Sequence, residues 1–419
     1  MVLHAAQHEA QIELQAQMIP FGAIMVFLNL GTESVLIAVI GATGFTGKLV
    51  ASYLASKGSR LLLCGRNQQK LDALRENLLE QADPGGGTSF VSPVDLLVRK
   101  MDVAGDSIQD IANSLAGVSV AINCAGPFTR LGEKIVTACL EAGVHYLDIS
   151  GEAGWIARLV RDFEERGRER GVMLIPACAF EYAIADSAAQ LLHEELRDLD
   201  RFESTYVIDG FYTSAGTRAS ILEALKGPAM KLAEGRLCPI DPGALRLLDL
   251  SDGRRLTMYP FAGGEVYLVP LHTTVRNIET FLTSDKSPQL MALLGRVLPT
   301  LVGAISFKGL GFLRNMVEAI VCDPDKCPTQ EERKTTRFTL ICRGFSDAGE
   351  SSGVRKRTLT VGGVDPYFLT AVIAGECALV IQSSSEKPEG GVTSPAMLGG
   401  QLFIQSITRD NGCVWHLGG

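Results

Sequence analysis

The heptapeptide GATGFTG, residues 41–47, constrains this chain more than any other feature. It lies between the apolar run VLIAVI (35–40) and the helical pattern FTGKLVASYLASKG (45–58). Gly41, Gly44 and Gly47 make GxxGxxG, which permits a tight turn and a close approach of backbone N–H groups to a phosphate. A helix starting near Phe45 turns its positive end toward that phosphate, with Thr43 and Thr46 beside it. A glycine triplet alone says little. At the first strand–helix junction of a β-α alternation it meets the context that a dinucleotide site requires. The bland alternative is a turn that packs helix on strand and holds nothing.

The alternation is explicit. RLLLC, LVRKMDV, VSVAINCAG, VHYLDIS and VMLIP read as further strands, with helical stretches between them. Short apolar runs rich in branched residues suit strands buried on both faces. Right-handed crossovers then give an α/β fold, a Rossmann-type doubly wound parallel sheet with helices on both faces. After about residue 195 the rhythm changes. RFESTYVIDG, GGEVYLVPLHTTV (263–275), KTTRFTLICRGFSD and RKRTLTVGG read as strands. SAGTRASILEALKGPAM, YFLTAVIAGECALVIQ and PAMLGGQLFIQSI (395–407) read as helices. That segregation predicts a second, α+β domain. The expected division is a 1–33 extension, a 34–195 nucleotide-binding domain and a 196–382 domain for substrate or dimerisation. Residues 383–419 are expected to return as a loop and helix to the first domain, with 383–395 a surface loop.

Composition narrows the classes. A formal net charge of -8 argues against a nucleic-acid partner. Ten cysteines are scattered, mostly in apolar runs, without zinc-site spacing, which suits a reduced cytosolic setting. MIPFGAIMVFLNL (18–30) is too short to span a membrane, and the residues before it carry Glu9 and Glu13 but no cation. The apolar stretch 290–313 is interrupted by Arg296, Pro299 and Lys308. It reads as a buried or lipid-facing helix pair, which keeps peripheral contact with a membrane or lipid surface open.

After the glycine turn, the second strand of a dinucleotide fold ordinarily ends in an acid that holds the adenosine ribose. Here RLLLCGRN places Gly65 and then Arg66. Arg forms charge-assisted, often bidentate bonds to phosphate, and Gly65 leaves room for it. The missing acid points to NADP(H), with Asn67 as an added donor; the alternative is an Arg solvated on a loop. Asp102 and Val103 end the third strand where an adenine would lie, although Asp102 equally fits a helix cap. Cys124, Ala125, Gly126, Pro127 and Phe128 follow strand four at the switch-point crevice, beside the expected pyrophosphate and nicotinamide.

Proton-transfer groups are less clear. YLASK matches the YxxxK pair of short-chain dehydrogenases, but Tyr53 and Lys57 lie far along the helix from any reactive ring. YLDISGE offers Asp148, Ser150 and Glu152, with His145 at its start. CAFEYAIADS offers Glu181, Tyr182 and Asp186. Tyr182 and Asp186 are the catalytic candidates; caps at Ser150 and Asp186 and a buried Tyr are the bland alternatives. SAGT (214–217) is either an anion site at a helix start or a plain N-cap.

Taken together, GATGFTGKLVASYL, LLLCGRN, NCAGPF, ACLEAGVHYLDISGE and PAMLGGQLF resemble the saccharopine dehydrogenase-like oxidoreductases. The nearer branch is that of the mycobacterial trans-acting enoyl reductases. The resemblance spans about residues 35–405. It implies a Rossmann domain with an interrupting α+β domain, NAD(P)H-dependent reduction, and a lipid-like acyl or polyketide substrate carrying a double bond. One departure is AFEYAIAD, which keeps Phe180 and Asp186 but has Glu181 where the family pattern G-F-D-x-x-P-S-D has Asp, and lacks the Pro. The glycine turn differs from that of the lysine-pathway saccharopine enzymes, which argues against their activity. The expected function is NADP(H)-dependent reduction of a C=C, or of C=N or C=O, in a hydrophobic substrate, by a chain that can form a homodimer. The alternative is a non-catalytic NADP(H) sensor or lipid-surface scaffold. Arg66→Ala should weaken NADPH binding far more than NADH binding in a fluorescence titration; equal loss would sink the phosphate assignment.

Overall fold

Strands that are apolar along their whole length must be covered on both faces. In the computed structural model, β1 (Leu36–Ile40) is buried at every position. The structure describes residues 35–82, 95–210, 212–224, 229–241, 243–250, 253–284, 289, 293, 297, 321–323, 326–347, 354–383, 389–398 and 412–418. After β1 come α1 (Phe45–Ser56), β2 (Arg60–Gly65), α2 (Gln68–Ala82), β3 (Leu96–Lys100), α3 (Ile108–Ser114) and β4 (Val118–Asn123). The first domain continues with α4 (Phe128–Ala142), β5 (His145–Asp148), α5 (Ala153–Asp162), α6 (Glu164–Arg170), β6 (Met173–Ile175) and α7 (Phe180–Leu196).

The second set opens with β7 (Arg201–Asp209), α8 (Ala215–Ala224), β8 (Met230–Ala233), β9 (Arg236–Pro239), β10 (Arg246–Asp249) and β11 (Arg255–Pro260). There follow α9 (Glu265–Leu268), a 3-10 turn (Val269–Leu271), β12 (Asn277–Ser284), α10 (Gln330–Thr335), β13 (Arg337–Asp347) and β14 (Val354–Val364). The chain then runs through α11 (Pro366–Ser383), β15 (Gly391–Val392), a 3-10 turn (Pro395–Leu398) and β16 (Val414–Gly418).

One sheet is parallel, in the order β15-β6-β5-β4-β1-β2-β3. The order reverses between β1 and β4, which is the switch point where such folds open a crevice. The second sheet has the path β10-β11-β12-β7-β13-β14-β16, with β8 and β9 attached through β12. Within it β7 and β12 are parallel and the other pairs antiparallel. This is the doubly wound sheet plus α+β arrangement that the sequence predicts.

A single apolar core joins the two sheets. It runs from Ile37 and Val39 of the parallel sheet to Phe202, Leu340 and Leu359 of the mixed one. Helix α7 bridges them: at Gly344 of β13 a Cβ would lie 2.9 Å from Leu199 and 3.0 Å from Leu196. Helix α11 lies across α1, where Gly375 admits the Tyr53 ring; a Cβ there would lie 2.4 Å from it. The Tyr53 hydroxyl donates to Glu376 Oε1 at 2.5 Å, and Lys57 pairs with the same carboxylate at 3.7 Å. The YxxxK match is therefore a packing device. Among the described residues α11 alone is long and apolar enough to cross a membrane, and most of it is buried in this core.

Three expectations differ from the structure. Residues 263–275 were expected as a strand, yet they hold α9 and a 3-10 turn. A Cβ at Gly264 would lie 2.7 Å from the Tyr182 ring, so this turn presses onto α7 where a strand would have no edge to join. Tertiary packing overrides the β-rich composition there. Residues 395–407 were expected as a helix, but the described part is one 3-10 turn. Within the expected surface loop, β15 adds to the parallel sheet beside β6, and β16 goes back to the mixed sheet. The 1–33 extension and the apolar stretch 18–30 lie outside the described residues. So does 290–313, apart from Leu293 and Val297.

Candidate functional site

The loops after β1, β2, β3, β4 and β5 end on one edge of the parallel sheet. There they line a cleft of about 1560 Å³ that continues across to β7, β11 and β12 of the mixed sheet. Pockets for drug-sized ligands span roughly 300–1,000 Å³, so this cleft is large enough for a dinucleotide and a second molecule.

Backbone geometry forms the floor. Gly41 adopts φ 79°, a left-handed conformation that suits glycine. A Cβ on Gly41 would lie 3.1 Å from the Ala125 nitrogen, and one on Gly47 would lie 2.2 Å from the Gly41 oxygen. Gly47 thus seats α1 on the turn and does not line the cleft, whereas Gly41, Thr43, Gly44, Phe45 and Thr46 do. Gly44 occupies the N-cap of α1 and no side chain caps that end, so its first N–H groups face the position of a pyrophosphate.

Arg66 lines the cleft, and so does Lys70, which the sequence reading missed. Lys70 lies one helical turn beyond Arg66, and that spacing was the available signal. Asn67 takes a different part from the one expected. It is exposed and its Oδ1 accepts from the Lys70 N–H at 3.0 Å, which caps α2. Asp102 and Val103 line the cleft. Asp102 is not the cap of α3, because Ser107 and Asp110 form a reciprocal capping box there. Cys124, Ala125, Gly126 and Phe128 line the cleft, while Pro127 is the N-cap residue of α4 and does not. Burial pushes the Cys124 thiol up to about 12, with Asp148 adding to the shift, so it is no thiolate nucleophile.

The acids proposed for proton transfer divide sharply. Asp148 is buried and accepts from the Tyr146 hydroxyl (2.8 Å), Trp155 Nε1 (2.7 Å), and the N–H groups of Ser150 (3.0 Å) and Ala177 (2.9 Å). It ties the ends of β5 and β6. His145 Nδ1 accepts from the Met173 N–H, away from the cleft. Glu152 accepts from the N–H groups of Phe128 and Thr129, at the start of α4, and from Ser220 of α8. A carboxylate is favoured at a helix start, and here it also fastens the second domain to the first. Asp186 stands outside the cleft: its oxygens accept from the Ala396 N–H at 2.9 Å and pair with His272 Nε2 at 2.7 Å. It is a structural clamp, not a catalytic acid. Ser214 caps α8 through the Thr217 N–H, and its own N–H already meets the Tyr367 hydroxyl. Tyr182 does line the cleft, but its hydroxyl faces the carbonyls of Gly151 (3.1 Å) and Ala262 (3.3 Å).

Three further tyrosines on the wall, Tyr206, Tyr259 and Tyr367, were missed altogether. Tyr206 of β7 lines the cleft and donates to the Glu181 carbonyl. Its hydroxyl also lies 2.8 Å from Glu265 Oε1, which accepts from Ser204 Oγ at 2.9 Å. Glu265 is fully buried and its Oε2 has no hydrogen-bond partner. Burial pushes its carboxyl from 4.5 up to about 7, against the pull of its hydrogen bonds. The lone acid in GGEVYLVPL was the only signal in the sequence.

Residues 37–175 match the model of the saccharopine dehydrogenase NADP binding domain. The first domain belongs to that family. The chain is accordingly saccharopine dehydrogenase-like, its cofactor is NADP(H), and the geometry of the turn and of Arg66 with Lys70 fits that cofactor. Outside this domain the likeness is broader and weaker. A trans-acting enoyl reductase of Mycobacterium tuberculosis is 25% identical over 415 residues, covering 88% of this chain and 95% of that protein. A lipid droplet localized protein of Caenorhabditis elegans is 28% identical over 202 residues, 46% of this chain and 45% of its own. The apo saccharopine dehydrogenase (L-Glu forming) of Saccharomyces cerevisiae superposes with a TM-score of 0.60 over 92% of this chain and 99% of that one, at 12% identity. That last likeness extends the saccharopine-type fold across both domains.

Glu265 makes a stability prediction. Between pH 4.5 and about 7 the unfolded carboxyl loses its proton while the folded one keeps it. Its contribution to stability therefore falls as pH rises through that window and is flat above it. Glu265→Gln has no such dependence. In urea unfolding, the stability of Glu265→Gln relative to wild type should rise by about 3 kcal/mol from pH 4.5 to 8; a constant difference would contradict the buried neutral carboxyl.

Proposed function

We propose that this protein is an NADPH-dependent reductase acting on a conjugated C=C of a hydrophobic acyl or polyketide-type substrate. A C=N or C=O acceptor uses the same site. The observation that carries the reading is the far half of the cleft. Beyond the glycine turn its wall is apolar, formed by Ile208, Leu282, Phe261, Ile240 and Ile221. Such a wall binds an extended hydrocarbon by removing it from water, at about 25 cal/mol per Å² buried. NADPH supplies a hydride when bound. The chain's part is to grip the cofactor phosphates at the α1 start and at Arg66 and Lys70, to hold the acyl chain, and to exclude water. The relatives named as trans-acting enoyl reductases, matched along nearly their whole length, support this choice of acceptor. NADPH oxidation against a panel of enoyl-acyl thioesters and imines tests it. Turnover of an enoyl thioester is expected, and no turnover on any member shifts the assignment to an NADP(H)-binding sensor.

A second, compatible reading is attachment to a lipid surface. Leu293 and Val297 are both exposed apolar residues. The relative described as lipid droplet localized supports it. The protein should float with phospholipid-coated triacylglycerol droplets in a density gradient, and Leu293→Asp with Val297→Asp should leave it at the bottom. Wild type that stays at the bottom overturns the reading.

A further inference from the structure

The reductase reading lacks a proton source, and helix α9 carries a buried acid that the fold itself does not explain. Glu265 is wholly buried, its carboxyl is met by the hydroxyls of Tyr206, Ser204 and Thr280 and by its own backbone N–H, and among the described residues no cation pairs with it. An uncompensated carboxylate in such a place is costly, and an apolar residue would serve packing better. Its environment is built closely around it: a Cβ on Gly263 would lie 2.0 Å from Glu265 Oε2. The ionisable groups around it are Tyr206 of β7, Tyr182 and Glu181 of α7, and Cys342 of β13. His272, just beyond on the same segment, is turned to Asp186.

We propose that Tyr206 gives the proton that completes reduction and that Glu265 restores it, a relay from inside the second domain to the cleft wall. The proposal rests on the reductase reading. The geometry separates Tyr206 from Tyr182. The Tyr182 hydroxyl meets backbone groups, the carbonyls of Gly151 and Ala262 and the Gly264 N–H, none of which resupplies a proton. Tyr206 touches a carboxyl at 2.8 Å and also lines the cleft. Hydride forms a C–H bond at one end of the acceptor double bond, and the π electrons move to the other end. That atom takes the proton of the Tyr206 O–H. The phenolate takes the proton of Glu265, and water re-protonates the resulting carboxylate through Tyr206 once product has left. The net uptake is one hydride and one proton. Tyr206 is the catalytic residue and Glu265 acts through it. The raised carboxyl of Glu265 supports the relay, because near neutral pH it still holds a proton to give.

The test uses the full chain and the variants Tyr206→Phe and Glu265→Gln, with two readouts. In protein labelled with 13C-glutamate and free of substrate, infrared difference titration should show a carboxylic-acid C=O band that bleaches as pH rises through about 7 and is absent from Glu265→Gln. With an enoyl thioester that wild type reduces, Tyr206→Phe should lower kcat on the order of 100-fold, with NADPH affinity and KM unchanged. Glu265→Gln should lower kcat and remove its fall on the alkaline side. The relay is overturned if Tyr206→Phe keeps kcat within about tenfold of wild type, or if Glu265 is already ionised at about pH 5.5. Wild type that reduces no substrate refutes the reductase reading, and the catalytic relay falls with it. The infrared band then still reports the state of Glu265, so the two failures are distinct.

Discussion

The contact between Gly47 and the Gly41 carbonyl sets the geometry on which the rest of the molecule depends. No side chain fits there, since a Cβ would approach to 2.2 Å. Helix α1 can therefore start directly on the turn, with its uncapped N–H groups at the mouth of the crevice. The same closeness presses Gly41 against Ala125 after β4. That fixes the two sides of the switch point at one spacing. Everything that lines the cofactor half of the cleft hangs from that spacing.

The second domain completes the site, because the cleft wall needs residues from both sheets. Helices α7 and α11 fuse the two into one core. Glu152 adds a polar tie, holding the start of α4 and Ser220 of α8 with one carboxylate. Side-chain bulk is removed where backbones must meet, at Gly344 beneath α7 and at Gly375 beneath Tyr53. Close packing of this kind leaves little room for independent movement of the two sheets.

Three buried acids show how environment separates structural from reactive groups. Asp148 collects four donors and is spent on tying strand ends. Glu152 holds the start of α4 and Ser220 of α8 together. Burial raises both Asp148 and Glu265; Glu265 meets hydroxyls and its own backbone N–H, and it keeps its proton to about pH 7. The residue type is similar in each case, and what differs is which donors the fold brings to it.

The order of strands along the chain, the glycine turn and Arg66 after β2 were legible in the sequence, because each is set by local spacing. A parallel sheet needs apolar runs at regular intervals, and a phosphate site needs glycine and a cation at fixed distances along the chain. The helix α9 was not legible, since its residues favour a strand and only contact with α7 makes them turn. Tyr182 and Asp186 could not be told apart as wall and clamp, because their roles follow from the partners they meet across 80 residues or more. Nor could Tyr206 be joined to Glu265, 59 residues away. The sequence by itself determined the fold class and the cofactor, since both rest on near-neighbour spacing. Only the tertiary structure decided what each buried acid does, since that depends on burial and on donors brought from distant parts of the chain.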